Sequence, residues 1–239
     1  MRVNYGCIKV LILLVLVVFL YAFTNAKNSK RSIGDPNIKF LGTDNLFITH
    51  ENVSKLLIQN QEGLKNKHKE IIDLSLLEAA LNSNEMIKKA QVHMSIDGTL
   101  SAEIEQKRPI ARVHTNASYY IDDEGSFMPL SKNYSARVPL VTGTIYKNKL
   151  ETVFEIAKTI DEDDFLKKHV IEIHQNDDRS IELKLRLYDF NIQLGDLNQL
   201  KKKINNFKAF YQKAIKDKTI NTYSSVNLRF DNQVICTKK

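Results

Sequence analysis

Tryptophan is absent from this chain, and cysteine occurs only twice in 239 residues. Neither Cys7 nor Cys236 has a companion at CxxC spacing, so no zinc ribbon or redox pair is expected. The folded part must hold itself together by packing, without disulfides. Glycine is also scarce, at 8 residues, which leaves little material for a phosphate-cradling loop. No Gly-rich loop, nucleophile elbow or HExxH segment exists. None of the 6 histidines is paired at ligand spacing. His169 and His174, five apart across an expected strand, point to opposite faces, and His93 lies on a polar face. The acidic run Asp161-Glu162-Asp163-Asp164 lacks the Gly and terminal Glu of a calcium loop. It reads instead as a cap for Phe165-Leu166. No catalytic residue, metal ligand or cofactor site is expected, and no small-molecule substrate.

Basic residues outnumber acidic ones, giving a formal charge of +7. That balance suits nucleic acid, an anionic membrane surface, or no particular partner. The lysines are scattered without aromatic interleaving, which argues against nucleic acid. Lys201-Lys202-Lys203 spreads over the outer face of a helix and reads as solvated surface. With 43% hydrophobic and 26% charged residues, the chain as a whole is not disordered.

One long apolar run is present, from Ile8 to Phe23, broken only by Lys9. Membrane helices need about 20 residues, with a lower bound of about 17. Counting from Tyr5 reaches that range, with Lys9 snorkelling to the near interface and Tyr21 placed as an interfacial aromatic. The rival reading is a signal peptide cleaved at Thr24-Asn25-Ala26. The Leu/Val run is long for a signal peptide, which favours an uncleaved anchor over 8–24. Arg2 and Lys9 on one side, with Lys27, Lys30 and Arg31 on the other, leave the orientation undecided. An anchor would place the two cysteines on opposite sides of the bilayer. A polar linker with Gly34 and Pro36 follows over 25–37.

The most regular stretch runs from Leu74 to Val113. Leu76, Leu77, Ala80 and Leu81 fall at helical spacing, with Asp73 as N-cap and Asn82-Ser83-Asn84 as the stop. The period then changes to two: Ala90, Val92, Met94 and Ile96 point one way, Gln91, His93 and Ser95 the other. Asp97-Gly98 suits a type I′ turn, and Leu100, Ala102 and Ile104 alternate with Ser101, Glu103 and Glu105 on the return. Arg108-Pro109-Ile110-Ala111 leaves that sheet, since proline cannot donate to a ladder. Upstream, a strand from Ile38 is interrupted at Gly42-Thr43-Asp44-Asn45. Thr49 caps a helix carrying Val53, Leu56 and Leu57, and a charged loop follows over 61–70. The order is strand, helix, helix, strand, strand.

Beyond Pro109 the chain becomes strand-rich. Tyr119-Tyr120-Ile121 leads into a turn at Asp122-Asp123-Glu124-Gly125. A helix over 150–160 carries Leu150, Val153, Phe154, Ala157 and Ile160. Ile171 and Ile173 mark one strand, and Ile181, Leu183, Leu185 and Leu187 another, whose wet face is Glu182, Lys184 and Arg186. Phe190, Ile192 and Leu194 continue the sheet to Gly195. Leu197, Leu200, Ile204, Phe207, Tyr211 and Ala214 follow one long helix face. Tyr223–Phe230 and Gln233–Cys236 close the chain as two strands joined at Asp231-Asn232.

The pattern Asn82-x-x-x-Met-Ile-Lys-Lys-Ala-Gln-Val, then Gln106-Lys107-Arg108-Pro109-Ile110-Ala111-Arg112-Val113, resembles the POTRA domain of the FtsQ/DivIB family, in a Bacteroidetes-like form. Tyr120-x-Asp-x-x-Gly125 and Pro139-x-Val-x-Gly143 are further family-like features. The resemblance implies an α+β protein: cytoplasmic tail over 1–7, transmembrane helix over 8–24, β-α-α-β-β POTRA domain over 38–108, and a bent antiparallel β domain with packed helices over 109–239. It implies a non-enzymatic, single-pass division protein of the inner membrane, with its C-terminal domains periplasmic at the septum. There it would bridge early and late division proteins. The C-terminal edge strand would recruit bitopic partners of the FtsB and FtsL kind by strand addition. Tyr223 to Asn232 resembles the family segment that does this, so Val226, Arg229, Phe230, Asn232 and Val234 are the expected partner contacts. Asn227 and Phe230 stand where the family has Asp and Tyr. The sequence stops at Lys238-Lys239, which predicts no longer C-terminal contact surface. A POTRA-bearing outer-membrane assembly or transport component is the alternative, and it needs a barrel of alternating strands.

Overall fold

The computed structural model describes residues 5–29, 36–42, 45–62, 73–95, 99–115, 117–146, 149–230 and 233–239. Helix α1 (Tyr5–Ser29) comes first. From Val10 to Leu20 every side chain on it is apolar and more than half exposed. Among the described residues no helix is long and apolar enough to cross a membrane. The transmembrane helix expected over 8–24 is therefore not established by these residues.

The chain divides into two compact units, Met1–Gly42 with Thr49–Glu105, and Thr43–Ile48 with Gln106–Lys239. In the first unit, β1 (Asn37–Leu41), α2 (His50–Glu62), α3 (Leu74–Asn82), β2 (Ile87–Met94) and β3 (Leu100–Gln106) follow in the expected order. The sheet runs β1-β3-β2, with β1 parallel to β3. Thr49 caps α2, accepting from the Asn52 N–H at 3.3 Å, and Asp73 caps α3 through the Leu76 N–H at 3.2 Å. Period-two burial drives Leu100, Ala102 and Ile104 fully inward, and Val53, Leu57, Leu77 and Leu81 of the two helices are equally buried. The expected α3 face needs one correction: Leu76 is 53% exposed, because the stripe through Leu77 and Leu81 turns it away from the sheet. The Asp97-Gly98 turn, Ile96 and most of the 61–70 loop lie outside the described residues.

Asn82 does more than end α3. Its amide accepts from the Ala90 N–H at 2.7 Å and donates to the Ala90 carbonyl at 3.3 Å. Glu78, one turn earlier, accepts from the Val92 N–H at 3.1 Å. Two side chains of α3 thus occupy alternate backbone positions along β2.

The second unit is a nine-stranded sheet ordered β12-β11-β10-β9-β8-β7-β4-β5-β6. Its strands are β4 (Pro109–His114), β5 (Ser118–Asp122), β6 (Phe127–Met128), β7 (Leu140–Gly143), β8 (Val170–Gln175), β9 (Ile181–Leu185), β10 (Asn191–Gly195), β11 (Tyr223–Asn227) and β12 (Ile235–Lys238). Pro109 opens β4, a strand position that tolerates the missing donor. The sheet is mixed rather than antiparallel, which corrects the expectation. β4–β7, β7–β8 and β10–β11 all run parallel. For β7–β8 and β10–β11 the physical reason is the crossover helices, α4 (Glu151–Glu162) with α5 (Asp164–His169) and α6 (Leu200–Lys216). A helix between neighbouring strands returns the chain to the same end of the sheet.

Those helices and the sheet share one core, including Val153, Ile156, Ala157 and Ile160 of α4 and Ile204, Phe207 and Tyr211 of α6. Asp163 caps α5, accepting from the Phe165 and Leu166 N–H groups at 3.1 and 3.0 Å. Leu187 stands past the end of β9 and is 69% exposed. His169 closes α5, its Nδ1 2.8 Å from the Phe165 carbonyl oxygen. His174 is on β8, with Nδ1 2.9 Å from Thr142 Oγ1, so the two rings occupy separate surroundings.

The segment before α2 belongs to this unit. Buried Gln106 treats it as a neighbouring strand: its Oε1 accepts from the Phe47 and Ile48 N–H groups, and its Nε2 donates to the Ile48 carbonyl at 2.9 Å. Ser131 and Asn133 donate to the Phe47 carbonyl. The Phe47 ring packs edge-on to Tyr120 and Tyr134.

Candidate partner-binding edge

The nine-stranded sheet ends on one side at β12, which pairs with β11 and no further strand among the described residues. Antiparallel pairing sets Val226 opposite Cys236 and Asn227 opposite Ile235. The Lys239 N–H donates back to the Thr222 carbonyl at 2.8 Å, which pins the end of the strand. A strand in this position carries an outer row of N–H and C=O groups available to another chain.

The five residues expected to contact a partner separate into four groups. Val226 lies in β11, between β10 and β12, and is fully buried in the core. Its side chain is enclosed in the core. The reason is that β11 is the second strand in from the edge. Arg229 and Phe230 lie in the connection between β11 and β12, both exposed, with Phe230 at 48%. Val234 immediately precedes β12 and packs partly on the core. Asn232 lies outside the described residues. The edge strand itself, Ile235–Lys238, follows these positions, with Ile235, Thr237 and Lys238 exposed. Cys236 faces inward, and burial pushes its thiol pKa up.

The chain leaving β11 is firmly held. Leu228 donates its N–H to the Gln193 carbonyl at 2.9 Å and is buried. The Arg229 N–H donates to Asn227 Oδ1 at 2.9 Å.

Next to Arg229 is the end of β10. Gly195 has φ +74°, and a Cβ there would lie 2.8 Å from Arg229 Cγ. The Gly195–Asp196 corner is fastened from below by Lys203. This lysine was expected on a solvated face, and the structure buries it instead. Its Nζ donates to the Leu194 carbonyl at 3.2 Å, the Asp196 carbonyl at 2.8 Å and Asp196 Oδ1 at 2.7 Å. Lys203 belongs to the buried stripe of α6 with Leu200, Ile204 and Phe207. The signal was in the spacing, since position 203 falls in phase with 200 and 207. An amine at the end of a long stem can follow that stripe and still reach polar partners.

Among the described residues no group of three His, Cys, Asp or Glu side chains is placed to hold a metal ion. The arrangement presents a backbone edge, an exposed aromatic and an exposed arginine.

Comparison with known proteins follows the same division of the chain. The family described as FtsQ/DivIB, C-terminal related, matches residues 108–237. A POTRA-like domain matches residues 41–105. The cell division protein FtsQ of Geotalea daltonii is 23% identical over 170 residues, covering 66% of this chain and 61% of that protein. The match thus spans less than two thirds of the relative's own length.

Proposed function

The chain belongs to the FtsQ/DivIB-related family of cell-division proteins, and on that premise we propose that it is a non-enzymatic assembly protein of the division septum. Its β12 edge recruits bitopic partners of the FtsB and FtsL kind, bridging early and late division proteins. The observation that carries this reading is the position of β12 at the free end of the nine-stranded sheet. A partner strand completing that edge gains main-chain hydrogen bonds, while alternating side chains supply selectivity. Phe230 and Ile235 offer exposed apolar surface beside it, at 48% and 42%, and Arg229 offers charge. Asn232 and Val234 complete the contact segment.

In this reading α1 is the membrane anchor. Its support is the unbroken apolar surface from Val10 to Leu20, on a helix whose 25 residues rise about 37 Å at 1.5 Å each. The N-terminus is cytoplasmic and the chain beyond α1 is periplasmic, at the inner membrane. Tethering to the bilayer raises the effective concentration of weak contacts with co-anchored partners.

Depletion in the native cell tests this function. Filamentation is expected, rescued by the full-length chain and not by an Arg229→Ala, Phe230→Ala, Asn232→Ala variant that still folds and reaches the envelope. Normal division on depletion overturns the division role. Rescue by the variant removes the contact segment from the partner site.

A further inference from the structure

A cavity at the end of β10 gathers several unusual features at one place. It is lined by Asp178, Arg179, Gly195, Asp196, Lys203 and Arg229 among others. Two of these backbones take left-handed conformations, Arg179 at φ +66° and Gly195 at φ +74°. Strain of this kind persists where the surroundings enforce it. The Gly195 corner bears directly on Arg229. The Arg229 backbone is set by Asn227 and by the buried Leu228. Its stem lies on bare Gly195, whose missing side chain leaves the space that Arg229 Cγ uses, 2.8 Å from where a Cβ would stand. The Asp178 carboxyl lies across the same cavity. It is held below its ordinary pKa by the Ser180 hydroxyl and N–H and, to a smaller degree, by the Arg229 charge. The corner carrying Gly195 is itself fixed by the three hydrogen bonds of the buried Lys203 ammonium.

We propose that Gly195, Lys203 and Asp178 are positioning residues that hold Arg229 as a preorganised cation over the end of β10, two strands in from β12. This rests on the partner-binding reading of the β12 edge. A free arginine on a surface loses several rotatable bonds on binding. A seated one has given up that freedom in advance, so more of its contact energy appears as affinity. Glycine serves at 195 on two grounds, the positive φ and the close stem. Lysine serves at 203 because only a long cationic side chain can follow an apolar helix stripe and still donate to three oxygens.

Arginine-labelled full-length protein in membrane mimetic tests the seat without any partner. In the wild type the Arg229 Nε–Hε group should be as ordered as nearby backbone amides. Asp178→Asn keeps the acceptor for the Ser180 N–H but removes the charge, and Gly195→Ala displaces the stem. Either should drop the Arg229 order to that of an unpaired surface arginine, with the remaining spectrum retained. Asp178→Asn covers the case in which Gly195→Ala fails to fold. An Arg229 group mobile in the wild type, or unchanged in Asp178→Asn, overturns the seat. Septal recruitment of a partner then links the seat to function. Gly195→Ala combined with Arg229→Ala should be no worse than Arg229→Ala alone, because both act through one side chain. Additive losses overturn the positioning role. Ordered Arg229 with recruitment indifferent to Arg229→Ala would instead overturn the partner-site reading and leave the seat standing.

Discussion

At Gly143 the backbone takes φ +91°, and a Cβ would stand 2.1 Å from the Gln175 carbonyl oxygen. That oxygen accepts from the Thr144 N–H at 2.9 Å, and the Gln175 amide donates back to the Thr144 carbonyl at 2.7 Å. Gly143→Ala must break this junction between β7 and β8, and a loss above about 3 kcal/mol is expected in urea unfolding. Lys203→Met keeps the stem and removes the ammonium. Asp196 is largely exposed, so the loss falls on the two backbone carbonyls left without a donor. About 2–3 kcal/mol should disappear, read from the same urea midpoint. Carboxylates set the acid limit. Burial alone would raise Asp161 and Asp163. Lys167 and Arg108 hold Asp161 below its ordinary value, while Lys208 and the Leu166 N–H do so for Asp163. A folded pKa below the unfolded one means stabilisation that is full above the ordinary Asp range, about 3.9, and is lost as pH falls through the depressed folded values. Stability should therefore fall away below about pH 4, and Asp161→Asn should flatten that limb of the pH–stability curve.

Elements divide into those legible from their own periodicity and those decided by partners elsewhere. α3, the 90–104 hairpin strands and α6 could be read directly, because Leu77/Leu81, Leu100/Ala102/Ile104 and Leu200/Ile204/Phe207/Tyr211 carry their period locally. Strand direction in the second unit was not read from the same runs. Its signal was the helix between Gly143 and Ile173 and the helix between Gly195 and Val226, each forcing a parallel return. Sequence order puts Val226 in the last pair of strands, and only the sheet order shows it covered on both sides. β2 illustrates what sequence alone could not give. Its Ala90 and Val92 backbone groups are met by Asn82 and Glu78 of α3, as though by a strand. Those side chains blunt an edge that would otherwise invite pairing. Glu78→Ala with Asn82→Ala should speed hydrogen exchange at the Ala90 and Val92 amides at least about tenfold, the equivalent of about 1.4 kcal/mol of lost protection. It should also promote self-association, seen by light scattering. Unchanged exchange would show that the two side chains guard nothing.

On the scale of the whole molecule, the account distributes work among an apolar helix, a POTRA-like unit with one guarded edge, and a nine-stranded unit with β12 left open. The asymmetry is the central claim: strand addition belongs to β12. Site-specific photo-crosslinking in dividing cells tests it most directly, with the probe placed singly at Thr237 on β12, at His93 on guarded β2, and at Lys213 on α6. The account predicts an adduct with an FtsB- or FtsL-type protein from Thr237 and none from His93 or Lys213. Adducts absent from Thr237, or equally strong from His93, would contradict it.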